Sequence, residues 1–258
     1  MKLAYWVLIL GAGVAVYGCG DDGGGAGSAG TAGTGGDGGT GGVGGGGPNV
    51  PTEGLQAFLS FSGDASDESG NGNDGTLLGG ATASGELILG NNADDMLMLP
   101  SAVMDGLVDF TFAAWLRIDT IRGESHEVIS GANAAEDNAL SFWYRDHTDE
   151  WVVGINNGSS VLANDATIED GEWHHVALTR SGTVAVLYID GSQLGNAEDV
   201  GADTLDIDPG GLIFGQDQDE VGGGFEADEA WAGAMDNLRI YDRALEQVEV
   251  ALLTAEAR

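Results

Sequence analysis

The sequence predicts an all-β fold, a two-sheet jelly-roll sandwich closed by one short C-terminal helix. Three observations carry that prediction. Short apolar or alternating runs recur from Leu55 to Tyr241, and clusters of glycine, asparagine and aspartate separate them. Only the stretch from Ala244 to about Ala257 carries leucine and valine at three- and four-residue spacing. Regularly spaced short strands with turn signals between them are the pattern of sandwiches and jelly rolls, and the 3.6-residue period marks a helix.

In chain order the expected strands are Leu55 to Phe61, Leu87 to Leu89, Met96 to Leu99, Phe110 to Ile118, Leu140 to Tyr144, Trp151 to Ile155, Trp173 to Thr179, Val184 to Ile189, Leu212 to Phe214 and Met235 to Tyr241. Turn signals fall at Asn73-Asp74-Gly75, Asn156-Asn157-Gly158, Asp190-Gly191 and Pro209-Gly210-Gly211. The run from Val184 to Gly191 reads as a strand entering a hairpin turn. Trp115 and Trp173 lie in apolar runs and are expected in the core. Trp143, Tyr144 and Trp151 suit either the core or a sugar-binding face, and Trp143 and Tyr144 are the candidate ligand contacts.

The region ahead of these strands cannot fold alone. Residues 20–47 hold 17 of the 46 glycines and almost no large apolar side chain. Residues 1–18 read as a signal peptide, with Lys2, an apolar run from Leu3 to about Val16, and Gly18 before Cys19. Val16-Tyr17-Gly18-Cys19 resembles a bacterial lipobox, which implies a lipid-anchored protein with Cys19 as its lipidated residue. By resemblance to Gram-negative sorting, Gly20 after that cysteine implies the outer membrane. Residues 19–51 are then a glycine-rich, disordered, flexible linker, and residues 52–258 the folded domain. A Gly11-Ala12-Gly13 turn after an apolar run is not a dinucleotide fingerprint, because no helix, second strand or ribose-binding acid follows.

The charge is one-sided. The 258 residues carry 8 basic and 42 acidic side chains, for a formal net charge of −34. From Pro48 onward seven arginines face 39 acids. Such a field repels phosphate backbones and attracts cations, so nucleic acid is excluded as a partner.

Oxygen-rich side chains gather in three segments: Asp64 to Asp74, Glu136-Asp137-Asn138, and Gly215 to Glu229. Calcium takes six to eight oxygens, and one loop rarely supplies them all. Asp217 and Asp219 point the same way if the backbone between them is extended. From the residues alone, a metal site and a solvated acidic loop stand about even.

A resemblance bears on that choice. Phe214-Gly215-Gln216-Asp217-Gln218-Asp219 through Gly222-Gly223-Gly224-Phe225-Glu226 is similar to the calcium-binding stretch of pentraxins. Glu136-Asp137-Asn138-Ala139-Leu140 resembles the segment supplying their first ligand pair. Trp173-His174-His175-Val176 and Tyr188-Ile189-Asp190-Gly191 resemble strands shared by pentraxins and laminin G-like modules, members of the concanavalin A-like jelly-roll class. The resemblance implies two calcium ions, with Asp137 and Asn138 as side-chain ligands and Asp217 and Asp219 bridging. It further implies a backbone carbonyl ligand from Gln218 and a Glu229 that holds the second ion. Asp217 replaces a longer glutamate of the family. The family's disulfide is absent, Ala113 and Ala177 standing at its two positions.

The resemblance implies a surface-anchored, lectin-like module that binds a carbohydrate or a phosphorylated, anionic ligand through calcium. Two other readings stay open: a structural lipoprotein whose calcium only braces loops, and a glycoside hydrolase of the same fold. Hydrolysis needs two carboxylates across a cleft. Asp206-Ile207-Asp208 is the nearest run, and Pro209 ends it. His174 and His175 are neighbours that face opposite sides of a strand, which suits structure better than metal binding.

Overall fold

The computed structural model describes residues 49–90, 92–136, 138–256 and 258. The assigned signal peptide, Cys19, the linker as far as residue 48, and Asp137 lie outside the described residues. Residues 50 and 51, assigned to the linker, belong to the fold: Val50 packs on an apolar cluster, and Tyr241 Oη donates to Pro51 O at 3.0 Å.

The strands in order are β1 (Leu55–Leu59), β2 (Thr76–Leu78), β3 (Thr82–Ala83), β4 (Leu87–Gly90), β5 (Met96–Met98), β6 (Phe110–Ile118), β7 (Ser125–Gly131) and β8 (Leu140–Arg145). They continue as β9 (Glu150–Ile155), β10 (Gly158–Ala163), β11 (His174–Ser181), β12 (Val184–Ile189), β13 (Ser192–Asp199), β14 (Leu212–Phe214) and β15 (Ala232–Tyr241), and helix α1 (Gln247–Ala255) follows. All ten expected strands form, with boundaries moved by a few residues. One sheet runs β13-β12-β11-β6-β15-β4-β3, with β1 also paired to β15. The other runs β10-β9-β8-β7-β14-β5-β2. Strand neighbours in both sheets are antiparallel.

Side chains alternate across each strand, so each strand gives one set to the space between the sheets. Phe112 from β6, Phe142 from β8 and Phe214 from β14 meet there, with ring centroids 6.1 and 6.2 Å from Phe112. Trp151 stacks on Phe142 at 5.2 Å. Burying each such ring contributes about 2–3 kcal/mol.

The same alternation corrects the expectation for two tryptophans. Phe112, Ala114 and Leu116 face inward, so Trp115 stands on the outer face, half-buried with its ring edge on His175. Trp173 is also half-buried, clasped by the guanidinium groups of Arg117 and Arg258 at 4.6 and 3.9 Å. That outer face also carries α1, whose Val250 and Leu253 pack with Tyr188, Tyr241, Ala113 and Ala177.

Candidate cation and ligand site

The site lies on the outer face of the other sheet. Residues at alternate positions share a face, so Ser125 and Glu127 of β7 line up beside Ser141, Trp143 and Arg145 of β8. The register sets Ser125 opposite Arg145 and Glu127 opposite Trp143. Two loops rise at the edge of this patch and add Asn138, Asp217 and Glu229. Together these eight residues enclose a pocket of about 250 Å³. A second lobe of about 190 Å³ shares Asn138, Ser141 and Trp143 and continues to Gly154, Asn157, Gly158 and Ser159.

Neutral side chains hold the Asp217 loop in place. Gln216 is buried and donates from Nε2 to Ala93 O at 2.8 Å and to Glu226 O at 3.0 Å. Gln218 is buried too, donating to Gly211 O at 2.9 Å and to Ser130 Oγ at 3.1 Å while accepting from Gly222 N at 2.9 Å. Its side chain is thereby committed to the loop, so only its backbone could face an ion. Gly224 has φ of 77°, and a Cβ there would come within 2.5 Å of Asp219 Cβ, so this bend requires glycine.

The Glu229 arm is pinned by Arg122. Its guanidinium donates to Ala227 O at 2.8 Å, to Ser125 O at 2.9 Å, and to Ala230 O. Glu127 N donates to Glu229 O at 2.9 Å, tying the arm to β7. Behind it, Asp146 accepts from Arg122 N and Gly123 N and pairs with buried His126 at 3.0 Å.

The expected ligands do not all meet. Asn138, Asp217 and Glu229 line one pocket, whereas Asp219 lines a neighbouring hollow of about 220 Å³ with Asn133, Glu136 and Glu220. Bends at residues 215, 216 and 219 flank the pair, and the two aspartates line different hollows. Trp143 borders both lobes. Tyr144 is corrected: it is fully buried, and its hydroxyl meets Asp149 at 2.8 Å and Glu169 at 2.9 Å. Adjacent strand residues face opposite ways, and Tyr144 took the core side. The Asp64–Asp74 segment spends its aspartates on backbone amides, Asp67 accepting from Phe58 N of β1 and from Ser69 N and Asn73 N, Asp64 from Ser66 N and Asp74 from Asp67 N.

Glu127 escaped sequence reasoning. It is 4% exposed and hydrogen-bonded to Ser141 Oγ at 2.7 Å and Phe142 N at 3.1 Å. Burial, with Asp217 and then Glu229 nearby, pushes its carboxyl well above the ordinary range. Glu229 is pushed up to about 7 by burial and by Asp217 and Asp219. Crowded carboxylates of this kind favour a cation or a proton. The donor set is all oxygen, the chemistry of a hard ion such as calcium. Among the described residues, no group of three or more His, Cys, Asp or Glu side chains is placed to hold a metal ion.

A two-sheet antiparallel sandwich with a polar pocket on one outer face defines a concanavalin A-like, lectin-type domain. The chain belongs to that family: the family model described as the concanavalin A-like lectin/glucanases superfamily matches residues 90–251. Its curated relatives include pentraxins. It is 31% identical to human pentraxin-4 over 164 residues, 62% of this chain and 34% of that protein. It is 42% identical to rat neuronal pentraxin-1 over 105 residues, 37% of this chain and 24% of that protein. The chain thus spans about a third or less of these relatives. Solved structures add likeness of fold alone. A heptameric SAP-like pentraxin from Limulus polyphemus has TM-score 0.51 at 24% identity, over 57% of this chain and 70% of that one. Domain 4 of an extracellular arabinanase from Geobacillus stearothermophilus, in complex with arabinotriose, has TM-score 0.57 at 20% identity, over 78% and 98%. A Trypanosoma rangeli sialidase in complex with 2,3-difluorosialic acid has TM-score 0.63 at 21% identity, over 81% and 34%.

Proposed function

We propose that this domain binds a carbohydrate or an anionic, phosphate-bearing ligand through calcium held in the outer-face pocket, and that Cys19 carries a lipid anchor at the outer membrane. One observation carries the binding reading: Asn138 and the Asp217–Glu229 loop, some eighty residues apart in sequence, line the same pocket as Trp143. Calcium there would be held by Asn138, Asp217 and Glu229; Asp137, which the resemblance also implies as a ligand, lies outside the described residues. The resemblance gives Glu229 to the second ion; because Glu229 lines the pocket of Asn138 and Asp217, a second ion would sit instead toward Asp219 and the carbonyl of Gln218. Bound calcium would reverse the local sign, which is how so acidic a domain could take an anion.

The arabinotriose bound to the arabinanase domain supports a glycan, and the resemblance of the Phe214–Glu226 stretch to the pentraxin calcium-binding segment is what supports calcium. A hydrolase draws less support, because Asp206 is exposed and Asp208 Oδ2 accepts from Ala134 N at 2.8 Å. Calorimetry tests the proposal. Calcium is expected to bind at or below millimolar concentration, and phosphocholine or an oligosaccharide to bind only after calcium. Glu229→Gln is expected to weaken calcium binding and Glu172→Gln, in the exposed bend before β11, to leave it unchanged. Calcium without any ligand response would leave loop bracing as the role. No calcium binding would remove both readings, and glycan hydrolysis that survives chelation would favour an enzyme.

A further inference from the structure

The second lobe differs from the first in charge. Asn138, Ser141, Trp143, Gly154, Asn157 and Ser159 border it, and among the described residues no ionisable side chain lines it. In a folded region of seven arginines and 39 acids, this is an uncharged hollow in a strongly charged surface. The strand register leaves room for it. Ser141 stands opposite Gly154, and Gly154 opposite Ser159. A Cβ on Gly154 would stand 3.5 Å from Trp143 Cζ3 and 3.2 Å from Gly158 O, so glycine keeps the space beside the ring open. The Asn157 side of the hollow is a tight hairpin turn. Asn156 and Asn157 have φ of 48° and 61°, the left-handed pair that matches the twist of the flanking strands. Asn157 N donates to Asn138 O at 3.0 Å and Asn156 N to Ala139 O at 3.3 Å, which holds the turn against the Asn138 segment.

We propose that this lobe is a subsite for an uncharged sugar ring, stacked on Trp143 and read by the carboxamides of Asn138 and Asn157, and that it works without calcium. The assignment rests on the glycan half of the ligand reading. A pyranose ring presents a face of C–H groups and a rim of hydroxyls. An aromatic face suits the first, and planar amides, donor and acceptor at once, suit the second. Charged guests fare worse. An ammonium group finds no carboxylate in this lobe, and Arg145 already leans on the Trp143 ring at 5.5 Å. A carboxylate or sulfate finds no cation there and meets the negative field of the whole domain. Asn138 borders both lobes, so its amide oxygen can serve the first while its nitrogen donates in the second. The turn and the glycine floor are set before a guest arrives, so little ordering accompanies binding.

A glycan array carrying neutral, sialylated and sulfated oligosaccharides, read in calcium and again in chelator, tests this. Calorimetry with the tightest-binding neutral glycan then compares wild type with three variants. Trp143→Leu keeps apolar bulk and removes the ring face. Asn157→Gly keeps the left-handed turn and removes the amide. Ser159→Tyr fills the lobe from an exposed position on the edge strand β10, where an aromatic residue suits β structure. Wild type is expected to hold neutral glycans in chelator. Trp143→Leu and Ser159→Tyr are expected to lose roughly tenfold or more in affinity, the scale of one aromatic contact. Asn157→Gly is expected to lose roughly fivefold, the scale of one hydrogen bond. Glycan binding that vanishes in chelator, or that stays at full strength in Ser159→Tyr, would overturn the subsite and leave the calcium-dependent reading in place. Preference for sialylated or sulfated glycans in chelator would overturn its uncharged character. No glycan bound in either condition would remove the glycan reading with it. Should Trp143→Leu fail to fold, Ser159→Tyr and Asn157→Gly decide, both being changes at exposed positions.

Discussion

Trp143 and Tyr144 are adjacent aromatics, and only strand register tells them apart. Period-two alternation says that one faces the core and the other the pocket, but not which, since both faces of β8 are largely covered. Asn138, Asp217 and Glu229 were legible because a motif carried them. Glu127 was not, because Ser125-His126-Glu127-Val128 reads as a polar loop until a second layer covers it. The raised Glu229 carboxyl gives a pH prediction. Its folded value of about 7 exceeds the ordinary 4.5, so between those values the folded state holds more proton than the unfolded one. Stability from this group is therefore present at low pH and lost as pH rises from about 4.5 to 7. Melting in chelator should show Glu229→Gln gaining on wild type across that window. A constant offset between the two would mean that Glu229 titrates normally. Calcium, which displaces the proton, should bind more tightly as pH rises through the same range.

At the scale of elements, β6, β8, β9, β11, β12 and β15 were legible because each is an apolar run with a core face. β7, β10 and β13 were not. β7 is polar because its outer face is the site floor. β13 is an edge strand whose side chains are mostly exposed, so no core face marks it. β10 opens with the small residues Gly158-Ser159-Ser160, of which Gly158 and Ser159 line the second lobe. The missing disulfide also has its answer here: Ala113 and Ala177 face each other directly in the β6–β11 register, beneath α1. Directly opposed residues on antiparallel strands have Cβ atoms about 4.5–5.5 Å apart, slightly wider than the ~3.8 Å of a relaxed disulfide. The Ala113→Cys/Ala177→Cys double variant should thus cross-link on oxidation with a small strand adjustment. Closing a loop of about 64 residues should add about 2–4 kcal/mol, read as the difference in denaturant midpoint between oxidised and reduced protein. Equal midpoints would mean that strain at this pair cancels the gain.

Across the whole molecule, the seven arginines of the folded region are engaged in structural work. Arg117 holds Glu86 and Asp119, Arg145 holds Glu150, Arg239 holds Glu256, Arg243 holds Glu249, and Arg258 lies near Glu86 and Asp236. Arg122 and Arg180 donate to main-chain carbonyls. The remaining acids repel one another through solvent, a term that is long-ranged and screenable. The screening length falls from about 30 Å at ~0.01 M salt to about 3 Å at ~1 M. In chelator, sodium chloride should therefore raise the melting temperature gradually and without saturation. Calcium at matched ionic strength should add a second, saturating rise, because it acts at a site and not through the field. Replacing Asp217 and Glu229 with their amides should remove the saturating part while keeping the gradual one. If calcium's effect is gradual too, and survives those replacements, the charge of this domain attracts calcium only as a diffuse counter-ion.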